Sequence, residues 1–225
     1  KKPIDMYFYF QKIFRNFRFD IIASSVQELL EINLVEWIKQ INKKYKKRNN
    51  LFYGGGVAMN VKANLLISNI KGIKNFFVPI SPADESNVIG GLYYLIERSY
   101  LKKRISLSRI KPLASPYLGM QYKNISNDEI RKVLKNISIT AVNEKNIAKL
   151  LLKGKIIGRF FGRAEFGQRA LGNRSILASP LIHEITNKLN TNIKSRDFWM
   201  PFAMTVLDKY EKKYFEKNNF RKSIY

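Results

Sequence analysis

Between residues 158 and 175, Gly158, Gly162, Gly167 and Gly172 are interleaved with Arg159, Arg163, Arg169 and Arg174. Glycine carries no Cβ, so backbone amides can come close to a ligand, and guanidinium groups offer planar, permanently charged forks that match phosphate or carboxylate oxygens. The chemistry this suggests is the grip of a polyanionic small molecule. Glu165, set among the arginines, reads as a group that orients one of them. Ser175 is followed by the apolar Ile176 and Leu177, which sets the run between buried elements. A glycine-punctuated surface loop with solvated arginines fits the same composition, and both readings stand at this point.

Three further segments carry chemical content. Gly54, Gly55 and Gly56 follow a short apolar run and lead into Val57, Ala58, Met59 and Asn60. A strand that enters a glycine turn and leaves as a helix can dock an anion or nucleotide, or simply make a tight packing turn. The turn lacks the Lys-Ser/Thr pair of a P-loop and is not the dinucleotide fingerprint. Asn60, one turn into that helix, could hydrogen-bond a sugar or an amide. Asp84, in the proline-stiffened segment that includes Pro79 and Pro82, suits a metal ligand, a general base or a helix cap. Lys194 and Arg196, followed by Phe198, Trp199 and Phe202, add a cationic and aromatic surface that could close over the same ligand. His183 is the single histidine, too little for a Ser-His-Asp arrangement.

The elements that must position these residues alternate. Apolar positions at Ile21, Ile22, Val26, Leu29, Leu30, Leu34, Ile38 and Ile41 predict a long amphipathic helix over 20–47, ending in a cationic, asparagine-containing turn. Short strands are expected over 51–53 and 76–78, with helices over 57–70 and 88–100. Residues 106–122, with Pro112, Pro116 and Gly119, read as a linker between two domains. Beyond it come a helix capped by Ser126 and ending near 135, a strand over 137–142, and a helix over 143–153 stopped by Gly154. A strand over 156–161 would deliver the arginine-rich loop, followed by a helix over 183–192 and an extended segment over 201–207. The class is α/β.

The chain has 225 residues, with 45% hydrophobic content, and its length suits one large or two small domains, of which two is the reading adopted. No apolar run approaches the roughly 20 residues that span a bilayer, so a membrane partner is not expected and a cytoplasmic location is. With no cysteine there is neither disulfide nor thiolate zinc site. The net charge of +24 points in principle to nucleic acid or an anionic surface, but lysine is heavily used throughout, as in ordinary helix faces. A solvated basic surface serving anionic substrates is the preferred reading, against a nucleic-acid partner. Nothing in the sequence fixes an oligomeric state.

Taken together, the segments GGGVAMNVKANLL, PISPADESNVIGG, GRAEFGQRALGNRSILASP and KSRDFWMPFAMTVL resemble the O-carbamoyltransferase family of nodulation and antibiotic biosynthesis, in order and spacing over most of residues 20–210. The resemblance implies a partial actin-like (ASKHA, Kae1-like) domain over 1–104 and a partial YrdC-like α/β domain over 105–225. It further implies that carbamoyl phosphate and ATP form carbamoyl adenylate in the second module, and that the first passes the carbamoyl group to a hydroxyl of a small metabolite or sugar. Mapped by motif, Asp84 falls at the family's metal-binding aspartate, with a divalent metal, iron, completed by ligands before residue 1. Gly54, Gly55, Gly56 and Asn60 fall at nucleotide or substrate contacts. Arg163, Arg169 and Arg174 are the expected catalytic residues, and Ser175, Lys194 and Arg196 are expected to contact the nucleotide. Gln168 stands where the family usually has proline, and Ser86 and Asn87 replace a Gly-Thr-like pair. The implied chain is an internal piece, truncated at both ends. A tRNA threonylcarbamoyl transferase relative and a noncatalytic nucleotide-binding module are the alternatives.

Overall fold

The computed structural model describes residues 6–45, 50–122 and 125–215. Of the cationic, asparagine-containing turn expected over 43–50, residues 46–49 lie outside them. The architecture is mixed α/β, mostly helical, with two small sheets. It divides into two compact units that part at Gly90 and Gly91, and each is described by itself.

The first unit opens with helix α1 (Met6–Phe14) and the long helix α2 (Phe19–Lys44). Strand β1 (Asn50–Phe52) follows, then a 3-10 turn (Gly56–Met59), helix α3 (Val61–Ser68) and strand β2 (Asn75–Phe77). β1 and β2 are parallel, with Leu51 opposite Phe76, so α3 is the crossover that a parallel pair requires. The core gathers Ile38, Tyr53, Ala58, Ile67, Ile70, Ile73 and Phe76, with Leu34, Val35 and Ile41 of α2 packed against it. Leu34, Ile38 and Ile41 recur at helical spacing and meet the core, where α2 packs on α3. The earlier half of the predicted stripe is open instead, with Ile21, Val26 and Leu29 all exposed. Periodicity identified the helix correctly, but α3 covers only part of it.

The division between units falls inside helix α4 (Asn87–Lys102), a continuous helix, whereas the sequence expectation placed its domain boundary after residue 104. In the second unit, helix α5 (Asn127–Val133) is capped by Ser126 in a reciprocal capping box with Glu129. Helix α6 (Glu144–Leu152) is capped by Asn143. Strands β3 (Ile157–Phe160) and β4 (Arg174–Leu177) pair antiparallel. Helix α7 (Ile185–Lys188) then widens into a π-helical stretch, Leu189–Lys194.

Two expectations need correction. The strand expected over 137–142 is irregular, and Ile137 and Val142 are exposed: an alternating apolar stretch becomes a strand only with cross-strand partners. Residues 201–207, expected only as an extended segment, form no helix and pair in no sheet. The segment 106–122 is also more than a linker. Its end runs alongside the arginine-glycine run, with Gly119 N–H donating to Ala164 O at 2.9 Å and Phe166 N–H to Pro116 O at 2.7 Å. A Cβ on Gly119 would stand 2.7 Å from that of Ala164, so only glycine fits this approach.

Candidate functional site

In the first unit, β1 and β2 run parallel, so the loops leaving their C-terminal ends emerge on the same side, where open α/β sheets bind ligands. One loop is the glycine turn and the other carries Asp84. They are tied together: Gly55 N–H donates to Pro82 O at 2.7 Å. Gly55 adopts φ +104°, in the region that L side chains rarely enter. Gly54 and Gly56 have no positive φ, and open space surrounds all three. Gly55→Ala is therefore expected to lose about 1–3 kcal/mol of stability, and Gly54→Ala much less, as urea denaturation of the two variants would measure.

Asn60 is at the N-cap of α3, not one turn inside it. Its Oδ1 accepts from Ala63 N–H at 3.1 Å, and its amide exchanges two hydrogen bonds with Gln27 of α2, at 2.8 and 3.0 Å. The amide is thus spent on joining α2 to α3 and on one of the helix's free N–H groups. Asn64, which sequence reasoning missed, is buried and donates to Ala58 O at 2.7 Å, clamping the 3-10 turn.

The Asp84 loop braces itself and leaves its aspartate free. Ser81 Oγ donates to Glu85, and Ser86 Oγ donates to Ser81 O. Asp84 is exposed and its carboxylate makes no hydrogen bond or ion pair among the described residues, so it caps no helix. Its availability suits a ligand contact. A metal needs more donors, and among the described residues no three His, Cys, Asp or Glu side chains gather to hold one. Asp84 alone does not make an iron site.

In the second unit, the arginine-glycine run forms the long connection 161–173 between β3 and β4 and the strand residues that flank it. Arg174 and Ser175 belong to β4 itself. The organiser is Glu165: its Oε1 accepts the backbone N–H groups of Leu171, Asn173 and Arg174 at 2.9, 2.7 and 3.1 Å. The expectation that it orients a guanidinium gives way to this: it orients backbone. Desolvation raises its pKa, but the N–H groups of Arg174, Leu171 and Asn173 together outweigh it and hold the carboxyl below its ordinary value. Tyr117 Oη adds a hydrogen bond to Leu171 O at 2.8 Å.

The arginines do not act as one set. Arg163 donates to Gly119 O at 3.0 Å, and Arg174 to Phe161 O at 2.7 Å and Gly162 O at 3.0 Å. Arg174 also stacks on Phe160, 3.6 Å from the ring centroid, and Arg159 lies over Phe161 at 4.9 Å. Arg163 and Arg174 are therefore largely spent on holding the hairpin. Arg169 is exposed, and nothing among the described residues engages its guanidinium. Ser175 Oγ accepts from Gly172 N–H at 3.0 Å.

In the last segment Lys194 is exposed, whereas Arg196 is held by Asn190 Oδ1 at 2.7 Å and lies over Phe202. Asn190, also missed from sequence, is fully buried and donates to Phe198 O and Met200 O, both at 2.9 Å. A groove of about 490 Å³ between α2 and α3 is lined by Glu28, Glu31, Lys39 and Lys71 among others, and by none of the motif residues. No helix among the described residues is long and apolar enough to cross a membrane.

The family model for the carbamoyltransferase N-terminus matches residues 7–92, and that for the carbamoyltransferase C-terminus matches residues 148–225. The chain belongs to the carbamoyltransferase family. The glycine turn and Asp84 lie in the N-terminal match and the arginine-glycine hairpin in the C-terminal one. Among curated relatives, an uncharacterized protein of Methanocaldococcus jannaschii is 32% identical over 205 residues, covering 87% of this chain and 32% of the relative. Nodulation protein NolO of Bradyrhizobium diazoefficiens is 30% identical over 200 residues, 87% of this chain and 35% of that protein. Nodulation protein U of Azorhizobium caulinodans is 27% identical over 178 residues, 78% and 29% respectively. This carbamoyltransferase chain spans about a third of the length of the curated relatives it matches.

Proposed function

We propose that the complete protein transfers a carbamoyl group from carbamoyl phosphate, through an ATP-derived carbamoyl adenylate, to a hydroxyl of a small metabolite or sugar. The observation that carries this reading is the ordered match of both the N- and C-terminal carbamoyltransferase models to one chain. On this reading, residues 1–104 are part of the actin-like transfer domain and 105–225 part of the YrdC-like domain that makes the adenylate.

The chemistry suits the side chains left available. Cleavage of carbamoyl phosphate by water leaves carbamate and releases phosphate. Attack of the carbamate oxygen on the α-phosphorus of ATP releases pyrophosphate, and attack of the acceptor hydroxyl on the carbamoyl carbon releases AMP and a proton. The last two steps build negative charge on phosphate oxygens, which a guanidinium placed there stabilises. Within the arginine-glycine run, Arg169 is exposed and unengaged among the described residues, which suits it to that role. Asp84, exposed in the loop that follows β2, is on this reading the carboxylate of the transfer half, where it can hold the acceptor hydroxyl or its proton. The mixed anhydride hydrolyses readily, so the loops also serve by excluding water.

The test is to incubate the full-length protein with ATP and carbamoyl phosphate and to look for pyrophosphate and carbamoyl-AMP by mass spectrometry. Absence of carbamoyl-AMP with intact, folded protein ends the reading. If it forms, Arg169→Ala is expected to lower its rate on the order of a hundredfold, and Asp84→Ala to spare adenylate formation while blocking transfer. The charge of +24 favours one other reading, a tRNA threonylcarbamoyl transferase relative. Steeply salt-dependent tRNA binding would mark it.

A further inference from the structure

The arch that carries Arg169 is pinned at both ends. Before it, Phe166 N–H donates to Pro116 O at 2.7 Å. After it, Leu171 is held on its N–H side by Glu165 and on its carbonyl side by Tyr117. Between the pins lie Gly167, Gln168, Arg169 and Ala170, all exposed, with Gly167 at φ +99° to turn the chain. The same Glu165 oxygen reaches on to Asn173 and Arg174 and so also sets where β4 begins. The anchors on either side limit where the backbone can carry Arg169.

We propose that Glu165 is the positioning residue of this loop, acting through the backbone of residues 171–174 to present Arg169 to the phosphate of the bound adenylate. The proposal rests on the reading above. Glu165 touches no substrate, and its effect passes through Arg169. It follows that loss of Glu165 matters only while Arg169 is there to be positioned.

A double-mutant cycle in the full-length protein, assayed with ATP and carbamoyl phosphate, decides it. Glu165→Asp keeps the charge but shortens its reach by one methylene, so it cannot hold all three N–H groups in place. Since misplacement by about an ångström can cost on the order of a hundredfold, kcat/KM should fall for Glu165→Asp about as far as for Arg169→Ala. The double variant should then be within about threefold of Arg169→Ala alone, the signature of coupled residues. Glu165→Gln retains an acceptor oxygen of the same reach and should restore most of the activity. Multiplying effects in the double variant, or a failure of glutamine to rescue, overturns the positioning role even if the wild type is active. An inactive, folded wild type overturns the functional reading itself and takes this proposal with it.

Discussion

Asn190→Ala is expected to unravel the loop that follows α7 at a cost of about 3 kcal/mol or more, the sum of several orphaned partners at about 1–3 kcal/mol each. The side chain has no solvent exposure, and both ends of its amide are in use. Nδ2 bridges Phe198 O and Met200 O, and Oδ1 receives Arg196 Nε–H. Alanine removes all three bonds and leaves two carbonyls and a guanidinium without their partner. Asn190→Asp should be no better, since it retains the acceptor for Arg196 but sets carboxylate oxygens against two carbonyls. Trp199 lies within the clasped segment, and the only other tryptophan is Trp37. In a Trp37→Phe background, Trp199 fluorescence during urea denaturation reads the loop directly. An unchanged midpoint in the alanine variant would show that the amide holds nothing.

Much of the scaffold was legible in the sequence, and what escaped has a common physical cause. Helices α2, α4, α5 and α6 and strands β1, β2 and β3 follow from apolar period, from caps such as Ser126 and Asn143, and from glycine or proline stops. These signals are local. The pairing of β3 with β4 and the run of 116–121 beside 163–166 depend on partners farther along the chain, so the apolar Ile176 and Leu177 marked a buried element without showing its strand partner. The strand expected over 137–142 erred in the opposite direction, having the composition without a partner.

The candidate sites divide along the same line. Residue types placed the glycine turn, Asp84 and the arginine-glycine run correctly as organised loops, but could not show which polar groups the fold itself consumes. Arg163, Arg174, Arg196 and Asn60 spend hydrogen bonds internally, whereas Asp84, Arg169 and Lys194 are exposed and unengaged among the described residues. The hubs, Glu165, Asn64 and Asn190, are polar side chains in small, glycine-rich or apolar surroundings. A buried polar group must find partners, so a polar residue on the buried face of a helix, such as Asn64 beside Ala63, Ile67 and Ser68, was the signal available.

Glu165→Ala strands three backbone N–H groups at once, and at about 1–3 kcal/mol for each the second unit should lose about 3 kcal/mol or more at neutral pH. Acid should produce a graded form of the same loss in the wild type. The folded-state pKa of Glu165 lies below its ordinary value of 4.5, so over that interval the unfolded chain binds more protons than the folded one. Its contribution is therefore complete above the unfolded pKa and declines as pH falls from there through the folded pKa. Glu129, lowered by its Ser126 backbone and hydroxyl contacts, titrates in the same direction, so the informative quantity is a difference between proteins. Wild type and Glu165→Gln should differ in urea midpoint above the ordinary carboxyl value of 4.5 and converge as pH falls through the lowered folded-state pKa. Amide hydrogen exchange gives the local view: the N–H groups of Leu171, Asn173 and Arg174 should lose protection in wild type as the carboxylate is protonated. Protection that stays flat across that range would mean the hairpin is held by the Arg163 and Arg174 bonds to carbonyls alone, with Glu165 a passenger.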